Sequence, residues 1–402
     1  MHIAVFFQYY HNPDCPLNGR HYTFVKRWAK RHKVTVITTR IWHEQRLTQN
    51  FPWAPEGVDI HMLDIPYDNA MGKVRRFGAF SRYVSGAIRC GLTIPKPDVI
   101  LGTSTPLTAA WAASRVAKLR RVPWVFEVRD LWPDFPIQMG AVRPRLFRNT
   151  LFRMEKRLYH SAAHVVPLSP DMATHVLENG VPANRVTTLL NGTDFPLLDA
   201  CSNELLDSLR QQYDLIGQRI VLYAGAFGRA NAINTLIEAA RYLSPRRDIS
   251  LVVSGHGFHL ADIEDASRRI GNIILLPPQP RHQMLCWFKT SDLSLVPFID
   301  RPVLSANSPA KFFDSLGAGT PVIVTNPGWT KHFVEVHECG WFVPPENASA
   351  LAATIVNLID EPELLKAAGI KGNRAARSLF DRRRLSDTME YILNEVAQRS
   401  IA

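Results

Sequence analysis

A lysine and an aspartate stand three residues apart in the segment SANSPAKFFDSLGAGTPVIV (305–324), directly before an apolar run that predicts a buried strand. Ser308 and Pro309 predict that a helix begins here, since serine caps helix N-termini and proline favours the first helical position. Lys311 and Asp314 then share the polar face of that helix. The carboxylate could accept hydrogen bonds from two vicinal hydroxyl groups of a ligand, and the ammonium with the first backbone amides could hold phosphate. The alternative is a solvated ion pair worth ~0.3 kcal/mol.

Three glycine-bearing loops lie at strand ends in the second half of the chain: GAFGRAN (225–231), SGHGF (254–258) and LGAGTP (316–321). Glycines such as Gly228 and Gly255 let the backbone approach a ligand closely. Arg229, where a strand turns into a helix, could make paired hydrogen bonds to a phosphate. A structural turn with a surface arginine is the alternative. None of the loops has the pattern Gly-x-Gly-x-x-Gly, so a nicotinamide dinucleotide site is not favoured.

Two further candidates lie in the first half of the chain. Asn18 and Gly19 precede a predicted helix, which gives a second helix start that could face an anion. Arg129 and Asp130 end the predicted strand PWVFEVRD, and the carboxyl ends of parallel strands face the ligand cleft. A structural ion pair between Arg129 and Asp130 is the competing interpretation.

Other chemistries find little support in the sequence. It has no Asp-x-Asp, no Gly-x-Ser-x-Gly and no phosphate-binding Gly-Lys-Ser/Thr loop. His256 and His259 lack a plausible third metal ligand nearby. We therefore predict no metal and no other cofactor.

The elements that must position these residues are short β-branched runs alternating with helical stretches. This alternation predicts an α/β protein with two doubly wound parallel-sheet domains and a cleft between them. Eleven runs are predicted as strands: HIAVFF, KVTVITT, DVILGT, PWVFEVRD, AHVVPLS, VTTLLNG, RIVLYAG, ISLVVSG, NIILLP, LSLVPF and PVIVT. The pattern stops near residue 195, so the predicted domains are 1–195 and 196–380, and residues 381–402 are predicted to form a helix that can pack back on the first domain.

The charge is unevenly distributed along the chain. The net charge is +11, and residues 1–190 hold 26 Lys and Arg against 13 Asp and Glu, which suggests an anionic partner for the first half. Two stretches, GKVRRFGAFSRYVSGAIR and RPRLFRNTLFRMEKRLYH, interleave basic and apolar residues and could rest on anionic lipid. Amphipathic helices with solvated basic faces are the alternative. No nucleic-acid recognition motif is present.

Three features bear on the compartment. No run of about 18 apolar residues suggests a membrane span, and the amino terminus resembles a first strand rather than an export signal. Five cysteines without a Cys-x-x-Cys pair favour a reduced cytoplasm. A cytoplasmic protein, peripheral at the inner face of the membrane if the basic stretches bind lipid, is the expectation.

The chain resembles a retaining glycosyltransferase of family 4 with the two-domain GT-B fold, and most of all the branch that builds bacterial O-antigen and capsule sugars. From about residue 1 to 345 the matching segments, in the family's order, are NGRHYTFVKRW…HKVTVIT, FEVRDLWPD, VVPLSPDM, NGTD, YAGAFGRAN and SPAKFFDSLGAGTPVIV. The resemblance implies that a nucleoside diphosphate sugar, most often UDP-linked, binds the second domain. It also implies that a glycan or lipid-linked acceptor binds the first.

The resemblance assigns a role to several candidates. Gly19 would face the donor phosphate from the first domain. Arg229 and Lys311 would neutralise the diphosphate, and Asp314, at the position of the family's second glutamate, would hold the ribose hydroxyls. Metal-free catalysis then relies on cations and helix amides that stabilise the leaving phosphate. Asp130 would orient the acceptor or assist its proton.

The sequence departs from the family at three positions. The family's first glutamate is replaced by Ala306, and the lysine that usually follows the arginine is replaced around Asn231. Arg129 stands where a histidine is frequent, as it does in the O-antigen branch. These differences leave open which sugar is transferred and whether it is a hexose or an N-acetylhexosamine. A nucleotide-sugar epimerase, a transferase acting on a small molecule, a membrane-docking scaffold and a phosphorylase are the alternatives, the last being least favoured.

Overall fold

The computed structural model describes residues 1–10, 19–39, 54–66, 71–142 and 145–399. Within these residues the chain forms two separate parallel sheets, one from each half. The strands are β1 (His2–Phe6), β2 (Lys33–Thr39), β3 (Val58–Leu63), β4 (Val99–Thr103), β5 (Trp124–Val128), β6 (His164–Pro167), β7 (Arg219–Ala224), β8 (Ile249–Ser254), β9 (Ile273–Leu276), β10 (Leu293–Val296), β11 (Val322–Val324) and β12 (Gly340–Phe342). The strand orders are β3-β2-β1-β4-β5-β6 and β12-β11-β10-β7-β8-β9. The predicted pair of doubly wound α/β domains is therefore confirmed.

Helices connect the strands and cover both faces of each sheet. They are α1 (Arg20–Trp28), α2 (Lys73–Thr93), α3 (Leu107–Arg120), α4 (Asp134–Gln138), α5 (Arg145–Ser161), α6 (Pro170–Glu178), α7 (Phe195–Asp199), α8 (Asn203–Gln212), α9 (Ile233–Leu243), α10 (Leu260–Arg269), α11 (Arg281–Thr290), α12 (Ala310–Ala318), α13 (Trp329–His337), α14 (Ala348–Ile359), α15 (Pro362–Leu379) and α16 (Arg382–Arg399), with short 3-10 turns at Ala183–Arg185 and Pro302–Ala306. Because the strands are covered on both sides, most are apolar and buried throughout, as in β1 and β8.

The last helix, α16, belongs in space to the first domain. Trp28 of α1 donates its indole N–H to the Ser386 carbonyl at 3.2 Å, and Arg27 bonds Asp387 at 2.7 Å. Apolar residues of α16, including Met389, pack with the core of the first sheet. The chain thus crosses between the domains twice, after β6 and before α16.

Contacts between the two domains bring the loops at the carboxyl ends of the sheets together. Ser169, which caps α6 in the first domain, donates to the Ala306 carbonyl of the second at 2.6 Å. Asp171 Oδ2 accepts the backbone N–H of Trp329 at 3.1 Å, at the start of α13. These bonds fix the walls of the cleft relative to each other.

The predicted strands differ from the structure in three places. The run VTTLLNG forms only one isolated bridge, at Val186, because it is part of the segment that crosses between the domains. The edge strands β3 and β12 were missed. Both have polar or intermediate exposure rather than the continuous apolar pattern used to find strands.

Two cysteines form a pair that the sequence did not predict. Cys201 and Cys286 are joined by a disulfide, with their Cα atoms 5.6 Å apart. The expectation of reduced thiols is wrong for these two residues in this structure. They are 85 positions apart in the sequence, so only the packing of α11 against the segment after α7 brings them together.

Candidate active site

The first-domain side of the cleft is built around Glu127, a fully buried carboxylate near the end of β5. Arg20 Nε donates to Glu127 Oε1 at 2.8 Å, and His21 Nε2 lies 2.6 Å from Glu127 Oε2. Both partners come from the first turn of α1, directly after Gly19. Burial by itself would raise the pKa of the Glu127 carboxyl, but His21 and Arg20 hold that pKa below its usual range.

His21 connects this carboxylate to Arg129. His21 Nδ1 lies 2.6 Å from Arg129 Nη1, and a guanidinium nitrogen only donates, so Nδ1 accepts. The ionised carboxylate only accepts, so Nε2 carries the proton and donates to Glu127. Burial lowers the pKa of His21 to about 4, which keeps the ring neutral at pH 7. The Phe7 ring packs 4.0 Å from the imidazole and lies 5.0 Å from Arg129 Cζ.

Asp130 is held independently of its neighbour Arg129. Asp130 Oδ2 accepts the Thr105 hydroxyl at 2.6 Å, and burial raises the pKa of this carboxyl. Thr105 has a backbone φ of +93°, a region that β-branched residues rarely adopt and that recurs at functional sites. Arg129 and Asp130 therefore each have their own hydrogen-bond partner, which favours the cleft interpretation over a mutual ion pair.

Lys311 provides a buried cation on the second-domain side. Its side chain is buried, with 8% of the residue exposed, so the alternative of a solvated lysine–aspartate pair is wrong. Nζ lies 4.7 Å from the Tyr223 ring centroid and 5.7 Å from that of Phe298. A Cβ added to Gly225 would lie 2.7 Å from Lys311 Cε, so the lysine stem passes the glycine that directly follows β7.

The Lys311 ammonium has no anionic partner among the residues that the structure describes. Desolvation by burial lowers its pKa to about 7, and no neighbouring charge offsets this effect. An unpaired buried cation is costly, and a bound anion would relieve that cost. Lys311 reaches from α12 to the loop after β7.

Arg229, Gly228 and Gly255 lie in two adjoining loops of the second domain. Arg229 is exposed and its Cζ lies 3.6 Å from the centroid of the Phe258 ring. A Cβ on Gly255 would fall 1.9 Å from the Gly225 carbonyl oxygen, so this glycine is required for the loops to pack. A Cβ on Gly228 would meet only a side-chain amide nitrogen at 3.2 Å. The exposed Arg229 guanidinium therefore lies in the same loop as Gly225, the glycine that the Lys311 stem passes.

Asp314 lies in an ion pair that the sequence did not predict. Arg281 Nη1 and Nη2 donate to its two carboxylate oxygens, each at 2.7 Å, and the Thr193 hydroxyl donates to Oδ1 at 2.6 Å. Although burial would raise the pKa of Asp314, Arg281 keeps it low. Three of about four acceptor positions of the carboxylate are occupied. The geometry thus shows a structural bond at the position where the resemblance implies a ribose contact.

An arginine of the last helix joins the two sides of the cleft. Arg382 donates to Asp194, which also lies 3.7 Å from Arg281 Nη2. A Cβ on Gly19 would lie 3.0 Å from Arg382 Nη2, so the absent side chain of Gly19 makes room for this guanidinium. Asn18, the other residue predicted at this helix start, lies outside the described residues.

Ser308 does not cap α12 as predicted. The helix begins at Ala310 after Pro309, whose ψ of 128° is extended, and no side chain caps it. Ser308 Oγ is buried and makes no hydrogen bond within the described part of the chain. The Ser308 carbonyl instead accepts from Asn191 Nδ2 at 3.3 Å, across the domain interface. Ser308 therefore keeps a free hydroxyl three residues before Lys311.

Sequence reasoning did not single out several charged or titratable residues of this site: Arg20, His21, Glu127, Asp194, Arg281 and Arg382. A usable signal existed for the first pair, since Glu127 interrupts an otherwise apolar strand and demands a buried partner. For Arg281 and Arg382 no local pattern distinguishes them from other arginines at helix starts. Among the described residues no group of acidic, histidine and cysteine side chains could hold a metal ion.

Comparison with known proteins identifies the class. Residues 22–192 match the model for the glycosyl transferase 4-like domain, and residues 207–375 match the model for glycosyl transferases group 1. Together the two matches cover most of the chain, one in each domain. The protein therefore belongs to the family-4 type of glycosyltransferases, and its architecture is the GT-B fold.

Similar proteins come from several organisms. The putative colanic acid biosynthesis glycosyl transferase WcaI of Escherichia coli is 26% identical over 65% of this chain and 66% of its own length, just under two thirds. Sucrose-phosphate synthase from Thermosynechococcus elongatus has a TM-score of 0.77 at 17% identity, covering 98% of both chains. HepE from Anabaena, in complex with UDP-glucose, has a TM-score of 0.72 at 17% identity, covering 98% of this chain and 100% of that one. The structural likenesses show the fold.

Proposed function

We propose that this glycosyltransferase moves a hexose or N-acetylhexosamine, with retention of anomeric configuration, from a UDP-linked donor to a glycan or lipid-linked acceptor in surface polysaccharide biosynthesis. The observation that carries the proposal is the Lys311 ammonium, buried at the carboxyl end of β7 with no anionic partner among the described residues. An anion bound there would restore the charge balance. The similarity to WcaI, named for colanic acid biosynthesis, supports a role in polysaccharide biosynthesis. The structural likeness to HepE in complex with UDP-glucose supports a UDP-linked donor.

The chemistry follows from where charge develops. When the sugar leaves, negative charge grows on the diphosphate, and preorganised cations are the largest catalytic term. Lys311 is fixed by its aromatic neighbours, and Arg229 can swing from the Phe258 ring onto the second phosphate. The acceptor hydroxyl would enter on the face that the diphosphate leaves, with Asp130 as the carboxylate proposed to orient it. No metal is part of this proposal.

The donor is tested with a panel of UDP-, GDP- and dTDP-sugars. We expect a rise in melting temperature with UDP-sugars and release of UDP when a glycan or polyprenyl-linked acceptor is added. Arg229→Ala should lower turnover by about 10²- to 10³-fold, while Arg268→Ala, an exposed arginine of α10 in the same domain, should not. A donor that is isomerised without any acceptor would instead indicate an epimerase. Full turnover by the Arg229→Ala protein would exclude its phosphate role.

The acceptor side is proposed to contact an anionic membrane surface. No described helix is long and apolar enough to span a bilayer. However, α2 exposes 86% of Val74 and 64% of Phe77 beside exposed Arg75, and α5 exposes Phe147 and Phe152 among basic residues. Apolar side chains within a basic surface are typical of interfacial helices, and each basic residue near anionic lipid contributes ~1 kcal/mol.

Co-sedimentation with liposomes across a salt series tests this contact. Binding should require anionic lipid, weaken with salt, and fall in a Val74→Ser/Phe77→Ser variant. Val336→Ser/Tyr391→Ser is the control, because these residues are similarly exposed but lie on α13 and α16, outside the two basic helices α2 and α5. Equal binding to neutral and anionic vesicles, or an equal loss in both variants, would remove the membrane proposal.

A further inference from the structure

We propose that His21 is a positioning residue: as a neutral imidazole whose tautomer is fixed by Glu127, it accepts a hydrogen bond from Arg129 and aims the other guanidinium N–H groups into the cleft. The inference rests on the proposed function, because it supposes that Arg129 meets the substrate. It concerns a residue that the sequence did not single out.

The partners of His21 determine which of its ring nitrogens donates and which accepts. Arg20 and His21 keep the Glu127 carboxylate ionised, so it can only accept hydrogen bonds. The imidazole proton must therefore be on Nε2. Nδ1 then has a free lone pair, 2.6 Å from Arg129 Nη1. A doubly protonated imidazole would put an N–H against an N–H of Arg129, so the bond would be lost. The arrangement therefore works only while His21 is neutral.

The surroundings keep His21 in that state. The charged groups that face it are Glu127 on β5, Arg20 on α1 and Arg129 after β5, and the Phe7 ring covers one face. Two cations oppose one carboxylate, and the ring is buried. Arg129 itself is only partly buried and uses one N–H on His21. Its other donors are thus held at the rim of the cleft in a fixed orientation.

Two substitutions test the two hydrogen bonds of His21 separately. His21→Asn keeps an acceptor oxygen near the place of Nδ1, whereas His21→Gln keeps an amide donor near the place of Nε2. We expect kcat to be about 10- to 100-fold lower for His21→Gln than for His21→Asn, with a smaller effect on the KM for the donor, because misplacing a catalytic group costs rate. His32→Gln is the control, since His32 also bonds a glutamate, Glu390, but lies between α1 and β2, after the opposite end of α1 from His21.

Two further measurements keep the proposal testable if a variant folds poorly. In the Arg129→Ala background, His21→Gln should cause no further loss in single-turnover rate. The ¹⁵N spectrum of histidine-labelled wild-type protein at pH 6 should contain a neutral imidazole, with its proton on Nε2, that is missing from the spectrum of His21→Asn.

Equal kcat for the two His21 variants, an additional loss in the Arg129→Ala background, or a doubly protonated His21 at pH 6 would each overturn the inference. Failure of the proposed function looks different. In that case wild-type protein would turn over no nucleotide sugar, while the imidazole spectrum would still report whether His21 accepts from Arg129.

Discussion

The two walls of the cleft treat buried charge in opposite ways. In the first domain, Glu127 is surrounded by Arg20 and His21, and the imidazole passes the interaction on to Arg129. In the second domain, Lys311 is buried against the rings of Tyr223 and Phe298 and has no anion among the described residues. The buried Glu127 carboxylate is compensated within the protein, whereas the buried Lys311 ammonium is compensated only when an anion binds.

This difference separates stability from function. A compensated buried network holds the fold, and removing one member leaves the others unpaired. An uncompensated buried cation lowers the stability of the free protein. An anionic ligand that pairs with it removes this cost, which adds to the affinity for that ligand. Asp314 belongs to the first kind, since Arg281 occupies both of its oxygens, although it stands only three residues from Lys311.

The largest expected effect on stability comes from the first wall. Glu127→Gln removes the carboxylate but keeps its shape, leaving the buried Arg20 guanidinium without a counter-charge. We expect the free energy of unfolding to fall by about 3–5 kcal/mol, measured by urea denaturation. Glu338→Gln, which breaks an exposed pair with Lys371, should change little. A similar small loss in both variants would mean that the Glu127 network is not what holds this wall.

The second wall should respond in activity instead. Lys311→Met keeps the apolar stem and removes the ammonium, so turnover should fall by about 10²- to 10³-fold, which corresponds to about 2.7–4 kcal/mol of transition-state stabilisation. The melting temperature without ligand should stay level or rise. Lys331→Met is the matched control, because Lys331 also lies over an aromatic ring, 4.4 Å from Phe342, but is more exposed. A folded Lys311→Met protein with normal turnover would contradict the comparison.

Gly225 offers a smaller perturbation of the same wall. Gly225 has a φ of +154°, and an added Cβ would lie 2.7 Å from Lys311 Cε. Gly225→Ala should therefore displace the lysine stem and cost about 1–3 kcal/mol of stability through backbone strain. Gly271→Ala is the control, since nothing lies within 4 Å of the added Cβ. Thermal unfolding and the UDP dissociation constant of both variants would show whether the glycine serves the loop alone or also the lysine.

The smallest effect is a dependence on pH. Burial lowers the pKa of Lys311 to about 7 from its ordinary value of 10.5. Between these values the unfolded chain binds the extra proton, so the contribution of Lys311 to the free energy of unfolding rises with pH across this window and is lowest below pH 7. The wild-type protein should therefore gain stability relative to Lys311→Met between pH 7 and 9.

Binding of UDP gives the converse of this pH effect. A bound diphosphate favours the charged ammonium, so binding at pH 8.5 should take up close to one proton in the wild-type protein and none in Lys311→Met. Calorimetry in buffers of different ionisation enthalpy measures this uptake. Equal proton uptake by the two proteins would place the anion away from Lys311.

The domain architecture and the class of enzyme were predictable from the sequence. Apolar runs alternating with helices gave the two α/β domains, and the order of segments such as FEVRDLWPD and SPAKFFDSLGAGTPVIV gave the class of enzyme. These signals are local or sequential, so they do not require knowledge of packing. The same logic failed at the edge strands β3 and β12, whose exposed residues break the apolar pattern, and at VTTLLNG, where an apolar run crosses between the domains.

The partner of each charge was decided by the tertiary structure. Helical spacing places Lys311 beside Asp314, yet Asp314 pairs with Arg281, which lies 33 positions away at the start of α11 and binds both oxygens at once. Because Asp314 pairs with Arg281, the Lys311 ammonium lies against the Tyr223 and Phe298 rings instead of pairing with Asp314. In the same way His21 and Arg129 meet only because α1 and β5 converge at one end of the sheet, 108 positions apart. Sequence determined which charges enter the cleft, whereas long-range packing determined which of them stay unpaired, because in a buried site geometry and desolvation outweigh proximity along the chain.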